Sequence, residues 1–458
     1  MSNKIVFIPI LQGAEAKNIL RTRLYQLLLS DTDIRIVFFV ASEAKAEYYK
    51  KEFSHPQVLY EVFGAYKRPR GSEIFEYLKF RLLRTSTIDL RRKRARDMGG
   101  SIFGYVASYI LTRACANRLC RRVVRFFDYY CIRDNAFSQY FDRYSPQLIV
   151  TAHLFGEIET SMLREAKKRG VRSIGIVNSW DKLTGRAIMR LLPDILLVFN
   201  EIQKKEALRH ADIDEKNIIV VGALPFDYYA YGTPSTRAEF TKRLGVEPDK
   251  KILVYAPLGR SNSASDWDIL DLLQSCMRDG KIKHSAVVLV RYPPNDFIDE
   301  NEAKKRPSII FDVPGVRFTK KRGFGLDWDM TQDDLQHLLD TVAHADVFVS
   351  YGSTLILDAA MLDKPIININ FEMRKNIPLS QRPTSFYETE HYQKALRTGG
   401  IRMVSTADEL IEWINVYFSH PECDHESRLR LRDEQCWRFD GKAAERIADV
   451  IFSAMRQE

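Results

Sequence analysis

Cysteine is scarce and unpatterned in this chain. Six occur in 458 residues (Cys115, Cys120, Cys131, Cys276, Cys423 and Cys436), with no CxxC pair and no metal-ligand spacing. That usage argues against a disulfide framework and a structural zinc site, and suits reduced thiols in the cytoplasm. No apolar run reaches the roughly 18–20 residues needed to cross a bilayer. The first stretch, NKIVFIPI, reads as a strand that starts almost at once, without a secretory leader's long apolar region. The expected location is therefore cytoplasmic, at most peripheral on the inner face of the cell membrane. Internal repeats and low-complexity segments are absent. So are the signatures of RNA-recognition, KH, helix-turn-helix and finger modules, so nucleic acid is not an expected partner.

What is present is an α/β rhythm. Composition is ordinary for a folded protein, 45% hydrophobic and 28% charged, and the length suits two domains. Lys4–Ile10 and Ile34–Val40 read as buried strands, with an amphipathic helix pattern over Ala14–Leu29 between them. The rhythm resumes at Gln147–Thr151, Ser173–Val177, Asp194–Phe199 and Ile218–Val221. Strands alternating with helices predict a parallel sheet covered on its faces. YAYGTP at Tyr229–Pro234 has the composition of a hinge. The expected domains are thus 1–228 and 235–458.

Charge is unevenly distributed. The formal net charge is +9, yet Lys67–Arg125 alone holds 16 Lys/Arg against 4 Asp/Glu. This segment lies in a basic, aromatic, helical insertion spanning about 66–130 that interrupts the α/β rhythm. It makes an anionic membrane surface a candidate partner, with a solvated helical face as the alternative.

The organising stretch is Ala345–Phe371, ADVFVSYGSTLILDAAMLDKPIININF. A strand over Asp346–Ser350 leads through Gly352, read as a sharp positive-φ turn, to Ser353 and Thr354, either of which can cap a helix over Leu355–Leu362. Such a unit presents its helix start outside the carboxyl end of the sheet, where open α/β folds bind ligands. Thr354 and Asp358, four apart, share a helical face. Hydroxyls beside a phosphate and a carboxylate one turn further suit a nucleotide diphosphate and its ribose. A plain capped helix with a solvated Asp358 is the alternative. Arg260 and Arg291 follow the strands Lys251–Tyr255 and Ala286–Val290, and their planar guanidinium groups fit a diphosphate.

In the first half, His153 sits just past the strand Gln147–Thr151, with Glu157 and Glu159 following. Histidine titrates near neutrality and is well placed there for acid–base work. The polar loop NSWDKLTGR (Asn178–Arg186) offers Asp181 as a second candidate acid or base. It also offers Trp180 for stacking on a sugar or base, and Lys182 and Arg186 for phosphate.

The central stretch resembles the donor-nucleotide segment of GT-B glycosyltransferases and the related CDP-glycerol glycerophosphotransferases. In those proteins D-x-x-x-S-x-x-S-x-x-x-x-D/E-A precedes a G/K-P-x-I strand, and Asp346, Ser350, Ser353, Asp358, Ala359, Lys364 and Pro365 stand at the matching places. The run from SWDKLTGR through LVFNEIQKKEA to VVGALPFD, and the closing DGKA-x-x-RI, are similar to bacterial surface-polysaccharide transferases. The resemblance implies a GT-B-like α/β fold: two facing Rossmann-like domains with parallel sheets and an interdomain cleft. It also implies donor phosphates on Ser353 and Thr354, and a ribose on Asp358.

The expected activity is transfer of a sugar from a nucleotide-sugar donor to a surface-glycan or lipid-linked acceptor. The donor is a substrate, and no cofactor is expected. No DxD doublet calls for a metal, because Asp333-Asp334 falls inside a predicted helix, so metal-independent catalysis is expected. A CDP-polyol glycerophosphotransferase and a non-catalytic nucleotide-binding or scaffolding protein are the alternatives. A sugar-nucleotide epimerase is disfavoured because no set of paired carboxylates is evident.

Overall fold

The computed structural model describes residues 4–64, 66–260, 262–318 and 327–456. The chain forms two compact units. The first comprises Met1–Asp89, Ser101–Asp227 and Asp440–Glu458, and the second Leu90–Gly100 and Tyr228–Phe439.

The first unit holds seven strands: β1 (Lys4–Ile10), β2 (Ile34–Val40), β3 (Val58–Val62), β4 (Leu148–Thr151), β5 (Arg172–Ile176), β6 (Ile195–Val198) and β7 (Ile218–Val220). They form one parallel sheet in the order β3-β2-β1-β4-β5-β6-β7. In β1, Val6, Ile8 and Ile10 enter one apolar cluster and Phe7 enters another. Alternate side chains leave opposite faces of a strand, so both faces are buried, which is why β1 and β2 read as near-continuous apolar runs. The closing helix, Ala443–Arg456, belongs to this unit. Its apolar stripe of Ala444, Ile447, Ala448 and Ile451 joins the first of those clusters. Asp227 accepts the Ala443 and Ala444 amide hydrogens at 3.1 and 2.9 Å and so caps it.

The second unit is built on β8 (Lys251–Ala256), β9 (Ala286–Arg291), β10 (Ile310–Asp312), β13 (Val347–Ser350), β14 (Ile366–Ile369) and β15 (Arg402–Val404). A two-stranded antiparallel pair, β11 (Val316–Arg317) and β12 (Trp328–Asp329), lies apart from the main sheet. The main sheet is parallel, in the order β10-β9-β8-β13-β14-β15. Each large sheet reverses its strand order once, between β1 and β4 in the first and between β8 and β13 in the second. In doubly wound folds that point, at the strands' carboxyl ends, is where ligands bind.

The division of the chain differs from the expected domains in three places. The closing segment 440–458 joins the first unit, and 90–100 joins the second. The expected hinge is not a loose linker: Asp227–Tyr231 is helical and Tyr229 is buried.

Candidate functional site

In the first unit the reversal of strand order places three titratable side chains together. Gln12, two residues past β1, is the N-cap of the helix Gly13–Ile19, whose third residue is Glu15. His153 lies two residues beyond β4, and Glu159 is in the first turn of the next helix, Glu157–Arg169. Glu159 Oε1 lies 3.2 Å from His153 Nδ1, and one ligand atom from each of Glu15, His153 and Glu159 lies within 4.8 Å of the others. Both carboxylates are buried. Gly156 makes room for this: a Cβ there would sit 2.1 Å from Glu159 Oε2.

The electrostatics of the cluster favour a protonated Glu15. Glu15 Oε2 accepts the amide hydrogens of Leu11 and Gln12 at 2.5 and 3.0 Å, while Oε1 is buried without a hydrogen-bond partner among the described residues. Burial, and then the Glu159 charge, push the Glu15 carboxyl up to about 8 against the lowering pull of those amides and of Lys45. Lys182 stands near enough to feel both Asp181 and Glu15, yet burial holds its ammonium below the usual lysine range. The arrangement therefore gathers the carboxyl ends of β1, β4 and β5 around a histidine, two glutamates and a lysine.

Of the residues singled out from the sequence, His153 is at the centre of this cluster and Asp181 borders it through Lys182. Asp181 Oδ1 accepts the Ser179 hydroxyl at 2.6 Å. Trp180 is buried rather than open to stack on a ligand. Glu15, within the amphipathic pattern over Ala14–Leu29, is not among those singled out. The paired carboxylates that were not evident in the sequence are Glu15 and Glu159.

In the second unit, Ser353 Oγ accepts the Leu355 amide hydrogen at 3.2 Å at the start of the helix Leu355–Met361, and Thr354 makes no side-chain cap. Gly352 lies where the chain bends, with a positive φ of 159°, and a Cβ on it would also meet the Phe386 Cβ at 3.3 Å. Asp358 Oδ1 accepts the Tyr229 hydroxyl at 2.7 Å. Burial first, then Asp358, raise the Tyr229 phenol well above its usual range, and Arg291 acts in the opposite sense. Asp358 and Arg291 thus converge on Tyr229.

Arg291 is not a free anion ligand. It ends β9 opposite Asp312 of β10 and is buried against that carboxylate, which also takes His337 Nε2 at 3.2 Å. Arg260 is exposed and lines a cavity of about 690 Å³ with Gly259, Asp266, Trp267 and Phe297. Ser353, Thr354 and Asp358 are not among the residues lining it. Asp334 of the Asp333-Asp334 doublet forms a capping box with Thr331.

Two parallel, doubly wound sheets with charged groups gathered at strand ends define a GT-B-like protein. The chain belongs to the CDP-Glycerol:Poly(glycerophosphate) glycerophosphotransferase family, whose model matches residues 192–453.

Among solved structures, it is similar to the UDP-GlcNAc 2-epimerase of Neisseria meningitidis bound to UDP-GlcNAc, with a TM-score of 0.57, 10% identity, and 98% of this chain and 100% of that chain covered. It is also similar to the wall teichoic acid polymerase TagF with CDPG, with a TM-score of 0.51, 12% identity, and 100% and 89% covered. A UDP-N,N'-diacetylbacillosamine 2-epimerase (hydrolyzing) of Legionella pneumophila is 24% identical over 221 residues, 48% of this chain. That match spans 52% of the relative, about half its length.

Proposed function

We propose that the protein transfers a sugar from a nucleotide-sugar donor to a surface-glycan or lipid-linked acceptor, without a metal. The observation that carries this reading is the Glu15–His153–Glu159 cluster in an enzyme of this family. Sugar transfer needs a base for the incoming hydroxyl and charge stabilisation for the departing phosphate. His153 is the proposed base. Glu159 on Nδ1 keeps the proton there, so Nε2 is the nitrogen that accepts the acceptor's hydrogen. Asp181 is the second candidate for that role.

Ser353, Thr354, Asp358, Arg260 and Arg291 are proposed to serve the donor: the hydroxyls and guanidinium groups toward phosphate, and Asp358 toward the ribose. Asp358 accepts one hydrogen from Tyr229 through Oδ1, and a carboxylate can accept several hydrogen bonds, as a ribose diol requires. Arg291, held by Asp312, contributes positive charge rather than a mobile contact. An anionic membrane surface on the inner face of the cell is part of the same reading, since a lipid-linked acceptor is presented there.

A second reading, transfer of a polyol phosphate from a CDP-linked donor, is favoured by the family description itself. There the acceptor oxygen attacks phosphorus and CMP departs. Product analysis separates the two, because sugar transfer releases a nucleoside diphosphate and polyol-phosphate transfer releases a monophosphate.

A further inference from the structure

Two helices of the first unit are inside out. In Ile102–Cys115 the buried positions are Ser108 and Thr112, and in Arg118–Cys131 they are Arg121, Arg125 and Asp128. Each set falls on one helical face, at spacings of three or four. Arg121 and Arg125 bind Asp212 at 2.7 and 2.6 Å, and Asp128 binds Arg164 and Arg190 at 2.7 and 2.6 Å. The opposite faces carry large apolar side chains in solvent: Phe103 is 80% exposed, Leu119 71%, Ile110 61% and Phe126 57%. A soluble helix shows the reverse pattern, and exposed apolar faces of this kind mark an interaction surface.

We infer that this helix pair seats the protein on an anionic bilayer surface, with its apolar face in the headgroup–acyl boundary. The inference deepens the membrane part of the proposed function and rests on that part alone. Charge identifies the occupant. From Met98 to Arg133 the only acidic residue is Asp128, which is buried, whereas Arg113, Arg118, Arg122 and Arg133 are exposed. Arg113 and Arg118 form long, partly exposed ion pairs with Asp89 at 3.6 Å and Asp214 at 3.9 Å, which leave both guanidinium groups open to solvent. Apolar helix faces rimmed by arginine, on a segment whose one carboxylate is buried, complement anionic lipid. A second copy would bring like charges together.

Each helix has 14 residues, about 21 Å at 1.5 Å per residue, too short for a bilayer core of roughly 30 Å. Among the described residues no helix is long and apolar enough to cross a membrane. The pair therefore lies on the surface.

The basic run Arg91–Arg96 is not the seat. Arg94 donates to Ser385 Oγ at 2.7 Å and lies over Phe386, and Lys93 is 3.5 Å from Glu388, all within the second unit. This revises the expectation that the whole segment 67–125 faces lipid.

The test is flotation of the full chain with phosphatidylcholine vesicles, with and without phosphatidylglycerol, alongside calorimetric nucleotide binding. The inference predicts flotation with the anionic vesicles, reduced on the order of tenfold or more in the variant Phe103→Ser, Ile110→Ser, Leu119→Ser, Phe126→Ser. It predicts an intermediate loss, removable by salt, in Arg118→Gln, Arg122→Gln, Arg133→Gln, and none in Arg94→Gln. Nucleotide binding that persists in the quadruple serine variant shows that its fold is intact. Unchanged flotation in that variant would overturn the inference. So would loss of self-association in place of flotation, which would assign the face to a second copy. Failure of flotation with nucleotide binding intact leaves the transfer reading standing, and the converse leaves the bilayer seat standing.

Discussion

Glu159 Oε1 stands 3.2 Å from His153 Nδ1, both side chains reaching the carboxyl edge of the first sheet from the connection that follows β4. A carboxylate at this distance is placed to orient the ring, which is what the proposed acid–base role of His153 requires. His153→Ala is expected to lower kcat by about 10²–10⁴-fold while nucleotide affinity stays unchanged. Glu159→Gln should give a smaller loss with a displaced pH profile, because it acts through the imidazole. Wild-type turnover in His153→Ala would remove the histidine from the mechanism.

Glu15 makes stability depend on pH. Its carboxyl is raised from 4.5 to about 8, first by burial and then by Glu159, so the folded protein retains a proton that the unfolded chain releases. The stability this proton confers is complete below about 4.5 and is lost as pH rises through about 8. Thermal melts of wild type and Glu15→Gln from pH 5 to 8.5 should show the variant gaining on wild type as pH increases. A pH-independent difference would contradict the assignment.

Arg291 and Asp312 are a buried pair, with His337 as a third member. Burial works to raise the Asp312 carboxyl, but His337 and Arg291 overcome it and hold the group below the usual aspartate range. Arg291→Ala leaves that charge without one of its two partners, a change that costs about 3–5 kcal/mol in buried pairs. Denaturant unfolding of Arg291→Ala, Asp312→Asn and the double variant should show strong coupling. Additive effects would mean the pair is not structural.

Metal-independent transfer predicts that a chelator leaves turnover unchanged. The Glu15–His153–Glu159 group has the spacing to hold a cation, so loss of activity in chelator, restored by a divalent ion, would point there and overturn the metal-free mechanism.

The strands were the most legible part of the sequence. β1 and β2 are apolar runs with both faces buried, and their bounds coincide with those read from the pattern. His153 was picked out by its place just past a buried strand, and the structure sets it beside Glu159. Glu15 was not, because a carboxylate on a short helix looks solvated until β4 pairs with β1 through Val6–Leu148 and Phe7–Ile149. The available signal was its place as third residue after Gln12, directly beyond a strand, where a carboxylate turns back onto amides. Arginine counts misled in a different way. Charge is visible in a sequence but its partner is not, and Arg121, Arg125 and Arg291 meet carboxylates supplied by other segments.

The central claim is nucleotide-dependent transfer. Its most direct test is calorimetric titration with UDP, GDP, CDP, TDP and CMP, for wild type and Asp358→Ala. The account predicts that one nucleoside diphosphate binds the wild type and that Asp358→Ala weakens it by roughly 10–100-fold, the loss of one charge-assisted hydrogen bond. Preference for CMP would favour polyol-phosphate transfer, and binding of none of the five by wild type would contradict the account.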